Sequence, residues 1–202
     1  MLIYLDCEFT DLIGVVSDIK LISAGFVAES GNELYFELPG NYDASECNTF
    51  VHEAVLPYLD AAKHGLPAAD AAQRLKDWIE SFGEPVTLAT DAPGYDFALV
   101  AELLKDHGIW PSNLTNIPQH VDAGSVQQSI EDYFDYQPIA VRHHALWDAR
   151  ALASARKSVM AVYVAADLLE KPIAERNPGN TDEDLAARQE YLDTITRDIR
   201  PK

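Results

Sequence analysis

Residues 2–9, LIYLDCEF, constrain this chain more than any other stretch. The run is apolar apart from Asp6 and Glu8. In a strand, side chains alternate between the two faces, so these carboxylates share one face and Cys7 takes the other. At about 3.4 Å per residue they stand roughly 7 Å apart along the strand. Acids are depleted in strands, and burying them unpaired is costly. A sheet built on this strand must therefore give that face either solvent or positive charge. A divalent cation held by oxygen ligands is the natural source of that charge. An edge strand with solvated acids is the alternative this stretch leaves open.

The following segments indicate the sheet's first half. Asp18 to Ala28 (DIKLISAGFVA) is β-like, Glu29 to Asn32 (ESGN) has turn chemistry, and Glu33 to Leu38 (ELYFEL) alternates with aromatics. Three sequential strands with a short turn predict an antiparallel meander closed by Pro39–Gly40. Residues 44–59 read as helical, with Pro57 ending or bending the helix. Pro67 to Phe82 is amphipathic, with Leu75, Trp78, Ile79 and Phe82 three and four apart and Gly83 as a stop. Val86 to Thr90 (VTLAT) is a short apolar strand. The loop DAPGY and a helix from Asp96 to His107 follow, which is half of a βαβ unit. Ligands gather at the carboxyl ends of such strands. Ile117 to Asp122 reads as a further strand, Val126 to Phe134 as a helix, and Ala145 to about Glu170 as a long helix stopped by Pro172. The predicted fold class is α/β, a mixed sheet with an antiparallel meander first and parallel strands after, flanked by helices. One domain is expected over residues 1–172, and a charged helical extension over 173–202.

Composition narrows the function classes. The 202 residues are 48% hydrophobic and carry a formal charge of −18. Such acidity disfavours salt-driven binding to long duplexes, although metal ions can supply positive charge locally. Cys7 and Cys47 are the only cysteines and form no CxxC pair, which fits a reducing compartment and argues against zinc. The candidate functional strand begins at residue 2, so no signal or transit peptide is expected. No apolar run approaches the roughly 18 residues of a membrane helix. A cytoplasmic protein is expected.

Four places can supply carboxylates to one centre: Asp6 and Glu8 in the first strand, Asp96 or Asp91 after the strand VTLAT, and Asp148 in RHHALWDARALA. An acid in a first helical turn is also favoured by the helix dipole. His144 lies four residues before Asp148 and would share its face if both are helical. If the helix begins near Ala145, His143 sits on the incoming loop and reaches the same centre. A histidine beside metal carboxylates suits a general base at neutral pH. A surface histidine pair is the plain alternative.

DCE in the first strand, Tyr95–Asp96 at a helix start after an apolar strand, and HHALWDA at the head of a late helix resemble the three motifs of the DEDDh exonuclease superfamily. That superfamily has a ribonuclease-H-like fold and includes ribonuclease T, oligoribonuclease and polymerase proofreading domains. The spacing looks most similar to the mycobacterial-type 3′–5′ exoribonuclease branch, and the resemblance spans about residues 1–165. Its motif H-x-A-L-x-D-A falls on His143, Ala145, Leu146, Asp148 and Ala149 and so selects His143. Its aromatic-Asp pattern selects Asp96. Two departures stand out: Phe9–Thr10–Asp11 follows Glu8 where Thr-Gly is frequent, and Asp91 adds charge five residues before Asp96.

The resemblance implies two divalent metals, Mg²⁺ or Mn²⁺, on Asp6, Glu8, Asp96 and Asp148. Asp6 would bridge them, and His143 would act as general base for in-line attack by water. It implies cleavage of single-stranded RNA, or DNA, from the 3′ end to nucleoside 5′-monophosphates, and a homodimer. Phe9 reads as a core residue by parity with Cys7, or as a stacking platform for a base. Arg142 and Arg150 read as phosphate contacts or as salt-bridge partners. Two other function classes remain: a catalytically silent nucleic-acid-binding module, and a metal-dependent nucleotide phosphohydrolase.

Overall fold

The computed structural model describes residues 1–11 and 19–170. The expected start of the second strand at Asp18 and the extension over 173–202 lie outside the described residues. Five strands form one sheet: β1 (Leu2–Phe9), β2 (Leu21–Ala28), β3 (Glu33–Glu37), β4 (Thr87–Thr90) and β5 (Gln119–His120), in the order β3-β2-β1-β4-β5. β1 pairs antiparallel with β2, and β2 with β3, while β4 runs parallel to β1 and β5 parallel to β4. The helices are α1 (Thr49–Ala54), α2 (Ala61–His64), α3 (Ala68–Glu80), α4 (Asp96–Asp106), α5 (Ala123–Tyr136) and α6 (Ala145–Glu170). By its contacts the chain divides into residues 1–154 and 155–202. The sheet and the carboxylate-lined cleft belong wholly to the first unit.

Strand alternation gives the sheet two unlike faces. Ile3, Leu5 and Cys7 of β1 pair with Ala28, Phe26 and Ala24 of β2, and the last two pair with Leu34 and Phe36 of β3. These residues join Ala71, Leu75 and Ile79 of α3 and Val100 and Leu104 of α4 in one core cluster. Each fully buried Leu, Ile or Phe there contributes about 1.5–3 kcal/mol. The other face carries Asp6 and Glu8 on β1, Gly25 and Ser23 opposite them on β2, and Tyr35 and Glu37 on β3. All eight residues of β2 are buried, which is why LISAGFVA shows no polar alternation.

Three sequence expectations shift. Residues 44–59 form no single helix. A 3₁₀ turn (Ala44–Glu46), α1 and a second 3₁₀ turn (Leu56–Tyr58) follow one another. Asn48 caps α1 by accepting the Val51 N–H at 2.9 Å, and Pro57 falls inside the second turn. The strand expected over 117–122 shrinks to Gln119–His120; Pro118, with no N–H for the ladder, stands immediately before it. α5 is longer than Val126–Phe134, starting at Ala123.

Candidate active site

The acids of β1 meet the start of α6 because of one glycine. Gly25 sits across the ladder from Asp6. A Cβ at residue 25 would lie 2.4 Å from the backbone C and O of Ala145 and 2.5 Å from the Leu146 Cα. Only a bare Cα lets the first turn of α6 rest on the sheet at that point. Three residues further on, Asp148 then comes within reach of β1.

The carboxylates gather in two overlapping groups. Asp6, Glu8 and Asp148 each offer a carboxylate oxygen within 4.8 Å of the others, and so do Asp6, Asp91 and Asp96. Asp6 belongs to both. Asp91 and Asp96, alternatives in the sequence, are therefore neighbours here. The loop between them turns tightly, with the N–H groups of Tyr95 and Asp96 both donating to the Ala92 carbonyl, at 2.9 and 3.0 Å. Asp96 is buried, 2% exposed, and its carboxylate does not cap α4. It accepts a hydrogen bond from the Thr90 hydroxyl, which in turn accepts the Ala92 N–H at 3.0 Å. Asp148 accepts the His144 N–H at 3.0 Å across the start of α6.

Packing so many acids together raises their affinity for protons. Burial first, then the charges of Asp148, Asp96, Glu8 and Asp91, hold the Asp6 carboxyl well above its ordinary range. Burial, then Asp148 and Asp96, pushes Glu8 up to about 8. Burial takes Asp96 to about 7 despite the Thr90 hydrogen bond, with Asp91 adding to the rise. Burial takes Asp148 to about 6 against the lowering pull of the His144 and His143 backbone and of Arg142. Four such groups ionise together only beside concentrated positive charge. The all-oxygen donor set fits hard ions such as Mg²⁺ or Mn²⁺.

The two histidines part company at the helix start. α6 begins at Ala145, so His143 lies on the incoming segment. Its backbone is left-handed, φ 60°, an uncommon conformation for a residue with a Cβ. Its ring lines the cleft and meets Phe50 edge-on, centroids 4.8 Å apart. Burial, then the Arg142 charge, lowers its pKa, which favours the neutral imidazole. His144 instead stacks on Tyr35 at 4.7 Å and does not line the cleft.

The cleft measures about 350 Å³, and beyond the acids it is lined by Phe9, Asp11, Asn48, Phe50 and Val51 among others. Asn48, Phe50 and Val51 carry no signal in the sequence, since only the fold brings α1 to β1. Phe9 both packs against the core and lines the cleft. The ladder register slips between Glu8 and Phe9, which breaks the parity expected from Cys7. Phe9 stacks on Tyr95 with centroids 5.3 Å apart. Arg142 pairs with Glu131, and Arg150 forms a two-pronged bond to Glu33 at 2.8 and 2.6 Å, so both arginines are salt-bridge partners here.

No family model and no curated protein sequence matches the chain. Solved structures do. S. pombe Pop2p in its Mg²⁺- and Mn²⁺-bound form superimposes with a TM-score of 0.50 at 20% identity, over 79% of this chain and 81% of that one. Cell-death related nuclease 4 (CRN-4) gives 0.52 at 12% identity, over 80% of this chain and 64% of that one. A full-length 3′-exonuclease gives 0.50 at 12% identity, over 81% and 82%. The chain has the ribonuclease-H-like nuclease fold. Within that fold, the acids stand on the central strand, in the loop and helix start that follow its parallel neighbour, and at the start of α6, which rests on the same face of the sheet. Among the described residues no helix is long and apolar enough to cross a membrane.

Proposed function

We propose that this protein is a metal-dependent 3′–5′ exonuclease that shortens single-stranded RNA or short oligonucleotides to nucleoside 5′-monophosphates. The observation that carries the reading is the pair of carboxylate triplets sharing Asp6, with His143 lining the same cleft. Asp6, Glu8 and Asp148 would hold one divalent ion, and Asp6, Asp96 and Asp91 a second. Such ions would supply charge to activate the attacking water and to stabilise the departing 3′ oxygen. The chain's own contribution is positional. Gly25 seats the start of α6 against β1, the Thr90 hydroxyl orients Asp96, and the backbone N–H of His144 orients Asp148. The neutral His143 imidazole takes the proton of the attacking water, at a point held by its left-handed backbone. A cleft of about 350 Å³ suits one nucleotide and its phosphate, which favours a chain end over an internal linkage. The lean to RNA rests on the sequence resemblance to the mycobacterial-type branch.

The test separates a phosphodiesterase from a phosphohydrolase. Incubation of a ribodinucleotide and of a nucleoside monophosphate with Mn²⁺ should release a nucleoside 5′-monophosphate from the first and no phosphate from the second. EDTA should stop the reaction. Phosphate release from the monophosphate with an intact dinucleotide would replace this reading by nucleotide hydrolysis.

A further inference from the structure

Gly25 has two partners across the sheet, Asp6 on β1 and Tyr35 on β3. The start of α6 rests on the bare Cα between them. On the Asp6 side the helix presents Asp148. On the other side the His144 ring lies on Tyr35, with centroids 4.7 Å apart and planes 25° from parallel. Tyr35 is 8% exposed and lines no part of the carboxylate cleft. Its own place is held firmly. His64 meets its ring edge-on at 5.0 Å, and its hydroxyl donates to Glu37 Oε1 at 2.9 Å. The same oxygen accepts the Asp60 N–H at 2.9 Å, and the Glu37 carbonyl accepts the Leu66 N–H at 2.9 Å. Tyr35 is therefore a rigid surface fixed to both flanks of α2.

We infer that Tyr35, outside the cleft, is a positioning residue: through the His144 ring it holds the start of α6 so that Asp148 and His143 face Asp6. This rests on the exonuclease reading and adds to it the residue that aligns its centre. His144 is the point through which the alignment passes. Its N–H donates to the Asp148 carboxylate at 3.0 Å, and its carbonyl accepts the Trp147 and Asp148 N–H groups at 2.8 and 3.1 Å. The residue before it, His143, is left-handed at φ 60°, a backbone that persists only where neighbouring contacts hold it. Fixing the His144 ring thus fixes an acid and a histidine of the centre together. The competing role for Tyr35 is plain packing, whose loss lowers stability and leaves the alignment of the folded molecules intact.

The two roles separate when activity and stability are read side by side. Tyr35→Leu removes the ring face and keeps an apolar side chain. Assayed well below its Tm, it should lose about 10- to 100-fold in kcat, the usual cost of disturbing the support behind a metal ligand. KM for the oligonucleotide should stay unchanged, because Tyr35 does not reach the cleft. Calorimetric titration of the full chain with Mn²⁺ alone should show weaker binding. Tyr35→Phe keeps the ring and gives up the hydroxyl bond to Glu37, so it should restore kcat and Mn²⁺ affinity although its Tm falls. A packing residue would instead give activity that follows Tm. His144→Ala should match Tyr35→Leu, and His144→Phe should restore most of the loss. The double variant Tyr35→Leu, His144→Ala should be no worse than either alone, because both act through one contact. The His144 pair decides the question if Tyr35→Leu does not fold. Wild-type kcat in folded Tyr35→Leu or His144→Ala, a Tyr35→Phe as impaired as Tyr35→Leu, or losses that multiply in the double variant overturn the inference and leave the exonuclease reading standing. A wild-type chain that binds Mn²⁺ and cuts no oligonucleotide overturns the exonuclease reading, and the Mn²⁺ titrations then decide the inference alone.

Discussion

Gly25→Ala tests whether close approach of α6 to β2 positions the site. The added Cβ would stand 2.4 Å from two backbone atoms of Ala145, whereas ordinary contact begins at 3.4 Å. Neither backbone can yield as a flexible side chain would. Relief therefore needs the helix start to retreat by about 1 Å, on the scale at which overpacking costs typically 1–3 kcal/mol. For a chain of this size that lowers Tm by roughly 2–12 °C. The larger effect falls on the chemistry. A shift of about 1 Å moves Asp148 and His143 away from Asp6 and Glu8 and lowers kcat/KM about 10²-fold. Differential scanning fluorimetry and turnover of a labelled oligonucleotide measure the two effects. Gly40→Ala is the control, because a Cβ there meets nothing within 4 Å. If Gly25→Ala keeps wild-type activity and melting temperature, the close approach does not position the site.

Other outcomes follow from the same geometry. Glu8, Asp96 and Asp148 have folded pKa values near 8, 7 and 6, all above their unfolded values. The folded metal-free chain therefore binds more protons than the unfolded chain from about pH 4 to about pH 8, and its stability falls as pH rises through that window. Mn²⁺ should raise Tm most near pH 8 and flatten the trend; melting curves with EDTA that rise with pH across the window would contradict this. His143→Ala should lower kcat by roughly 10²–10⁴-fold while retaining Mn²⁺ binding, read by stopped assays and calorimetry. Full activity in that variant would remove His143 as the base. Thr90→Val strips a donor from Asp96 and an acceptor from the Ala92 N–H, so chemical denaturation should show a loss of about 1–3 kcal/mol.

Much of this arrangement is legible in the chain because it depends on local rules. Asp6 and Glu8 share a face by strand alternation alone, and the LYFEL and FALVAELL patterns mark β3 and α4 without knowledge of the rest. The Asp96–Asp91 choice was not decidable at that level. The tight turn at Ala92 brings both acids to Asp6, and a sequence offers no measure of how far a loop bends. The wall formed by Asn48, Phe50 and Val51 lay further out of reach. Asn48, whose extended backbone interrupts the helix otherwise suggested over 44–59, is tied to Asp11 and to the Thr10 carbonyl by tertiary hydrogen bonds. Gly25 reads as a weak point in a strand until the backbone of Ala145 is seen against it. Pro118 could have trimmed β5 in advance, since a residue without an N–H is a poor ladder member.

The proposed function makes the Asp6-centred carboxylates and His143 one metal-dependent centre acting on a 3′ end. A time course on single-stranded RNA labelled at either end, with Mn²⁺ or EDTA, tests this for wild type and Asp6→Ala. The expected result is immediate loss of the 3′ label as mononucleotide and a descending ladder of the 5′ label, both abolished by EDTA and by the substitution. Internal cuts, release from the 5′ end, or cleavage that survives Asp6→Ala would contradict it.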